Sequence, residues 1–400
     1  MAFMTGVLGR GGVFPLIKQA PNESILNGTV TVVQSTSGGR NRVQEFRDAG
    51  FKYPLIMARP DGDPIVTEID GVVTKALSAV NAWETVLEEA TSEELRLILS
   101  NTMGGFNVDP EDTEYDGETT PRSFPAKMAV VLNERKKLGR APIAFMPFEL
   151  IIGFNTETEE LKIQSEILLE NILTMARTFG FLDADPDLEA YIREQGYLST
   201  CIDRVCTEDL GELNVSQGEH PLRAVVEPFY ELQITKVEGF SDHCQDFPGV
   251  QFVDDAKLYL LRKMVILNAL HIAMVLHWRN NPKLEHVKTV FQALEEPRLA
   301  AVSDAYLAEA VHILDGHVDN PEGFAQEVLE RFRNPKIAHL LEKIAGNLDT
   351  LRLKIIERLV LAYQFGVVVG EGEPSLLTAM LAAAPEVEVT DWRLDISVED

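Results

Sequence analysis

Apolar positions in the first 150 residues fall into two alternating rhythms. Short β-rich runs at residues 29–36, 95–101 and 142–146 read as strands, and residues 77–90 and 124–138 repeat apolar positions every three or four residues and read as helices, the second with Pro125 in its first turn. Strands that alternate with helices are the layout of βαβ units and a mainly parallel sheet. From about residue 157 the strand signal thins and long amphipathic patterns take over, at 161–179, 188–194, 254–278, 299–314 and 337–365. The chain is therefore expected to be α/β, with an N-terminal Rossmann-like dinucleotide-binding domain over residues 1–156. A mostly α-helical domain over 157–400 would hold the substrate and the catalytic groups. The last fifteen residues, acidic and carrying Trp392, read as a tail or a final strand.

Composition supports two globular domains, because 400 residues with 45% hydrophobic and 25% charged side chains can bury more than one core. Charge narrows the partners. With 36 Lys+Arg against 63 Asp+Glu the net charge is −27, which repels phosphate backbones and anionic headgroups, so no nucleic acid and no membrane surface is expected. An anionic ligand would need a local Arg or Lys to overcome that field. Cys201, Cys206 and Cys244 form no CxxC pair and no close Cys/His set, which argues against a disulfide framework and a structural zinc and for a cytoplasmic protein. Arg10 and Lys18 interrupt the N-terminal apolar stretch, which makes it a poor export signal, and Asn268, His271 and His277 make 264–278 a poor membrane span.

Five stretches carry candidate chemistry. Thr5-Gly6-Val7-Leu8-Gly9-Arg10-Gly11-Gly12 is a glycine-rich turn that opens a helical stretch, and such a turn lets backbone N–H groups approach a pyrophosphate. Only Met1-Ala2-Phe3-Met4 precede it, so the first strand is expected to be truncated. After the next strand, Gln34-Ser35-Thr36 stands where an acid would hold a ribose hydroxyl, and Arg40 and Arg42 follow, which leaves NAD against NADP open. Asn101 and Thr102 end the strand 95–101 and are candidates for the cofactor crevice; Glu149 and Asn155 fall at the expected domain junction. The segment 262–271 places Lys263, Asn268 and His271 in an otherwise apolar helix. A lysine in such surroundings is a candidate general base, with a snorkelling lysine and a core histidine as the plainer alternative.

The sequence "RKMVILNALH" resembles the signature helix of the polyol-specific long-chain dehydrogenases, the mannitol dehydrogenase and hexuronate reductase group. Further similar segments follow in the family's order: "TGVLGRG", "VVQST", "LSNT", "SFPAK", "PFELI" with Asn155, "STCIDRVCT", "VVEPFY" and "RFRNP". The resemblance implies an NAD-dependent oxidoreductase without a metal, acting on a small sugar acid or polyol, and its hexuronate branch interconverts a keto-hexuronate and an aldonate. It implies Lys263 as general acid/base, Asn155 and Asn268 on the reacting oxygen, and His271 on a substrate hydroxyl. Gly6, Arg10, Gln34, Asn101 and Thr102 would bind the cofactor. For a substrate carboxylate the basic candidates are Arg204 and Arg262, with Arg331 and Arg333 in reserve. The chain departs from the family at Met4, where the loop's first glycine belongs, and at Ala269 and Ile272. A mannitol or fructuronate type of polyol dehydrogenase, or a non-catalytic homologue that acts as a binding protein, are the alternatives.

Overall fold

The computed structural model describes residues 1–348 apart from 38–39, 103–104, 156–159, 280 and 347. Most of the expected helix 337–365, and all of the stretch around Trp392, lie outside the described residues.

Six parallel strands form the main sheet. In chain order they are Ala2–Phe3, Val30–Gln34, Val73–Ser78, Leu97–Ser100, Ala144–Pro147 and Gly196–Tyr197, and across the sheet they run third, second, first, fourth, fifth, sixth. This is the doubly wound order of dinucleotide folds, whose direction of winding reverses between the first and fourth strands. Successive residues of a strand point to opposite faces, and the sequence exploits this on nearly every strand. Phe3, Val33, Leu77, Ile98 and Phe145 enter one core, under the helices Trp83–Ala90, Phe124–Lys137 and Gln164–Thr178. Their neighbours Ala2, Val32, Ala76, Leu99 and Ala144 enter a second core on the other face. Burial on both faces is why these strands read as apolar runs.

The short first strand nonetheless sits at the sheet's centre. Ala2 pairs with Val32 on one side and Leu99 on the other, and Phe3 pairs with Ser100. The Met1 carbonyl accepts from the Leu99 amide at 2.9 Å and the Phe3 carbonyl from the Asn101 amide at 3.2 Å. Two residues are enough to join the neighbours' edges, so neither is left unpaired.

Several expectations change. Residues 77–90 begin as the end of the strand Val73–Ser78, and the helix starts only at Trp83. The stretch after 157 is not uniformly helical. It gives the main sheet its edge strand, and it supplies the sheet Thr200–Asp203, Glu231–Thr235, Val250–Val253, together with Cys206–Thr207 and Ala224–Val226, which join Tyr53–Met57 and Ile65–Ile69. Helices dominate from Lys257 onward and form a third core around Met264–Leu276, Leu299–Leu314 and Val328. The run Lys257–Arg279 is long and apolar enough to cross a membrane, yet 72% of its most apolar window is buried in the protein, as a core helix would be.

The glycine turn has two jobs. Gly6 accepts the first helical hydrogen bond, from the Arg10 amide, and the helical run continues to residue 19, with an i→i+5 turn over Gly9–Val13. A Cβ on Gly11 would stand 2.8 Å from Val226 Cγ1, and one on Gly12 would stand 2.9 Å from Ile202 Cδ1. These two glycines let the helix lie directly on the smaller sheets, whereas Gly6 faces open space.

Candidate active site

A crevice of about 400 Å³ opens at the carboxyl ends of the first and fourth strands of the main sheet, where the strand order reverses. Thr5 and Gly6 form one wall, Gln34, Arg40 and Arg42 a second, and Asn101 and Thr102 a third. Four of the five residues expected at a cofactor thus line one space. Arg10 does not. Its side chain is wholly buried on the far side of the helix, bonded to the Arg223 carbonyl and to Glu208, which also binds Arg42. Gln34 is fixed from both ends, accepting from the Arg42 amide at 3.1 Å and donating to the Thr36 carbonyl at 3.1 Å. Ser123, which caps the helix Phe124–Lys137 and opens the segment "SFPAK", and Arg122 beside it also line the crevice, and neither was among the expected cofactor residues.

The crevice fits a nicotinamide dinucleotide. The space above Gly6 is clear of other atoms within 4 Å of a notional Cβ, a helix begins directly behind it, and three arginines line the rim in a chain of net charge −27. Helix N-termini and arginines favour phosphate oxygens.

Behind the crevice lies a buried carboxyl. Glu149 accepts from Ser100 Oγ at 2.9 Å, from the Thr102 amide at 2.9 Å and from Thr102 Oγ1 at 3.2 Å, so it ties the end of the fourth strand to the segment after the fifth. Burial pushes its carboxyl from 4.5 up to about 7, against the pull of those hydrogen bonds. A carboxyl raised on folding binds an extra proton in the native state, so stability falls as pH rises from about 4.5 to about 7 and stays lower above. The shift corresponds to about 3 kcal/mol. Urea unfolding of Glu149→Gln is therefore expected to show a flatter loss of stability between pH 5 and pH 8 than the parent protein. Equal slopes would remove Glu149 as the source.

The next residue, Leu150, lines a second cleft of about 300 Å³ with Cys206, Thr207, Asn268, His271, His339 and Lys343. Glu149 and Leu150 thus stand between the crevice and this cleft. His271 is buried, stacks on Phe332 with centroids 4.5 Å apart and meets His339 edge-on at 4.5 Å. Burial, then the charges of the surrounding basic groups, hold His271 well below its ordinary value, and burial holds His339 down to about 4, so both are neutral near pH 7. His271 Nε2 and Asn268 Nδ2 are buried and make no hydrogen bond among the described residues.

Lys263 is buried, and its ammonium donates to the Ile202 carbonyl at 2.5 Å; the side chain does not line the cleft. An i→i+5 turn spans Met264–Asn268. Such a turn puts residues five apart one turn from each other, which brings Lys263 toward the Asn268 face in a way that an uninterrupted α-helix would not. π turns recur at functional sites. Asn155 ends the strand Ile152–Asn155, and its side chain lies outside the described residues.

The arginines expected to meet a substrate carboxylate are engaged elsewhere. Arg204 lies over the Tyr230 ring and donates to the carbonyls of Glu227 and Gly11. Arg262 stacks over Phe324 at 4.2 Å. Arg331 is paired with both Asp203 and Glu227 at 2.8 Å, and the exposed Arg333 does not line the cleft.

A switch-point crevice beside a polar cleft, carried by a doubly wound sheet and a helical half, is the arrangement that the resemblance to the polyol dehydrogenases implies, and the chain is similar to proteins of that group in sequence and in fold. Among its relatives are altronate oxidoreductases. It is 31% identical over 332 residues to the one from Klebsiella pneumoniae (strain 342), covering 78% of this chain and 63% of that protein. It is 25% identical over 376 residues to the one from Halalkalibacterium halodurans, covering 87% of this chain and 67% of that protein. The chain thus spans less than two thirds of the length of the Klebsiella relative. No family model matches it. The fold is shared with Pseudomonas fluorescens mannitol 2-dehydrogenase, solved as a ternary complex with NAD and D-mannitol, at a TM-score of 0.71 and 18% identity over 95% of this chain and 77% of that one. A substrate-free D-sorbitol dehydrogenase matches at 0.64 and 20% identity, covering 90% of this chain and 75% of that one. The α/β fold and the family resemblance expected from the sequence are both borne out.

Proposed function

We propose that the chain is a cytoplasmic NAD-dependent oxidoreductase that interconverts a keto-hexuronate and an aldonate, of the tagaturonate/altronate type. One observation carries the reading: consecutive residues link the dinucleotide-type crevice to the cleft of Asn268 and His271, since Glu149 accepts from Thr102 at the crevice and Leu150 lines the cleft. The relatives' names add the substrate class.

A bound nicotinamide dinucleotide supplies the hydride chemistry. Gly6, Gln34, Asn101 and Thr102 would hold it, and Arg40 and Arg42 stand at the ribose end of the crevice. Asn268 Nδ2 donates to the reacting oxygen and favours the negative charge that develops there. His271, neutral and with Nε2 unpaired among the described residues, binds a neighbouring hydroxyl. Lys263 gives up or takes the proton of that oxygen, after its ammonium leaves the Ile202 carbonyl. Asn155 is assigned to the same oxygen by the resemblance. The chain divides functionally after residue 156, with the cofactor groups before it and the substrate groups after it.

Titration of NADH, followed by its fluorescence, combined with steady-state reduction of tagaturonate and of fructose, tests the reading. Micromolar NADH binding and faster reduction of tagaturonate are expected. Faster reduction of fructose would favour the mannitol type, and absence of NADH binding would overturn the dehydrogenase reading. Gly6→Val, whose Cβ would have no atom within 4 Å beyond its chain neighbours, is expected to weaken NADH binding while leaving the melting temperature unchanged.

A further inference from the structure

The cleft must handle charge. The chain carries a net −27, so an anionic substrate approaches against a repulsive field and needs a fixed cation where it binds. Among the described residues that line the cleft, Lys343 is the one side chain with a formal charge, since His271 and His339 are held neutral by burial. Lys343 stands on the short helix Leu341–Ala345, and the residues around it in the cleft wall include Thr207, Asn268 and His271. The polar groups that lack partners among the described residues, His271 Nε2 and Asn268 Nδ2, mark the same cleft as a place where a ligand with hydroxyl or carbonyl oxygens is accommodated.

Lys343 is held but not consumed. Its ammonium pairs with Asp209, and the two side chains are 59% and 30% exposed. Asp209 in turn accepts from Thr207 Oγ1 at 3.1 Å, so the acid is fixed and the lysine is the mobile member. An ion pair this exposed contributes little net stability, so an arriving carboxylate can replace Asp209 at small cost. The buried Arg331 offers no such exchange, because both of its carboxylate partners are nearly excluded from water.

We infer that Lys343 is the anchor for the carboxylate of a sugar-acid substrate, with Asp209 parking the ammonium at the cleft when no substrate is bound. This assignment rests on the dehydrogenase reading of the cleft. It makes Lys343 a specificity residue, one that separates acids from neutral polyols of the same length.

The test compares altronate with altritol, the neutral hexitol of the same chain length, as substrates for NAD-linked oxidation by the full chain. Lys343→Met is expected to raise the KM for altronate roughly ten- to hundredfold, as for a lost charge-assisted hydrogen bond, with kcat within about twofold. It should leave kcat/KM for altritol unchanged. Lys343→Arg should retain most of the preference, and Asp209→Asn should lower the KM for altronate. NADH binding measured on every variant reports that the fold is intact. An equal loss with both substrates, or no change with either, would overturn the assignment while the dehydrogenase reading stands. If the parent protein binds no NADH and oxidises neither substrate, that reading fails and the assignment with it.

Discussion

Lys263→Met is expected to lower turnover by about 10²- to 10⁴-fold, the range for loss of a positioned general acid/base, with NADH affinity nearly unchanged. Methionine keeps the length of the apolar stem inside the helical core, so the change removes the ammonium with little repacking. The alternative is that Lys263 is purely structural, with its ammonium a tether on the Ile202 carbonyl. The two roles separate cleanly. A tether lost would lower the melting temperature and spare the chemical step, whereas a proton carrier lost would flatten the pH dependence of kcat and remove most of the rate. Retention of more than a tenth of the parent turnover, where chemistry limits the rate, would overturn the catalytic assignment. The i→i+5 turn bears on the outcome, because restoring regular α-helical phase would rotate Lys263 away from Asn268.

Much of the crevice was legible in the sequence, because a buried parallel strand announces itself as an apolar run and its carboxyl end as the first polar residues after it. That logic pointed to Gln34, Asn101 and Thr102, which line one crevice in the structure. Arg10 failed for a physical reason: a glycine-rich helix start does not reveal which face meets the ligand, and Arg10 points to Glu208, 198 residues away in sequence. The candidate carboxylate anchors failed for a related one. An arginine near a motif can satisfy itself on rings, carbonyls or acids from any part of the chain, as Arg204, Arg262 and Arg331 do. The strand Tyr53–Met57 carries Pro54, which weakens the strand signal, and the hairpin it forms with Ile65–Ile69 went unread. No residue pattern marks an i→i+5 turn, so the rephasing between Lys263 and Asn268 is visible only in three dimensions. Lys343 and His339 lie in a stretch read simply as helix, and only the fold brings them to Asn268 and His271.

Arg331→Met is expected to destabilise the protein by about 3–5 kcal/mol, the cost of leaving buried carboxylates without their cation. Arg331 donates through Nη1 and Nη2 to Asp203 at 2.8 Å and through Nη2 to Glu227 at 2.8 Å, and its side chain is only 6% exposed. It joins the helix Pro321–Phe332 to the small sheets, one residue past the Ile202 carbonyl that holds Lys263. Burial alone would raise the Asp203 carboxyl, but its hydrogen bonds from Arg331 reverse this and hold it below the usual range. In the parent protein that group stabilises the fold above the ordinary carboxylate range, and the stability is lost as pH falls through its lowered native value. Without Arg331, burial is opposed by the charges of Lys263 and Arg262 but no longer by the arginine's hydrogen bonds and charge, and the sign is expected to invert, so the variant should gain relative stability on acidification. Urea unfolding at pH 5 and pH 8 is expected to show the larger deficit at pH 8. A deficit below about 1 kcal/mol at both values would show that the carboxylates find water or another cation, contrary to their burial in the fold. Replacing all three partners together, Arg331→Met with Asp203→Asn and Glu227→Gln, should recover much of the loss, because uncharged groups of similar volume do not need the arginine.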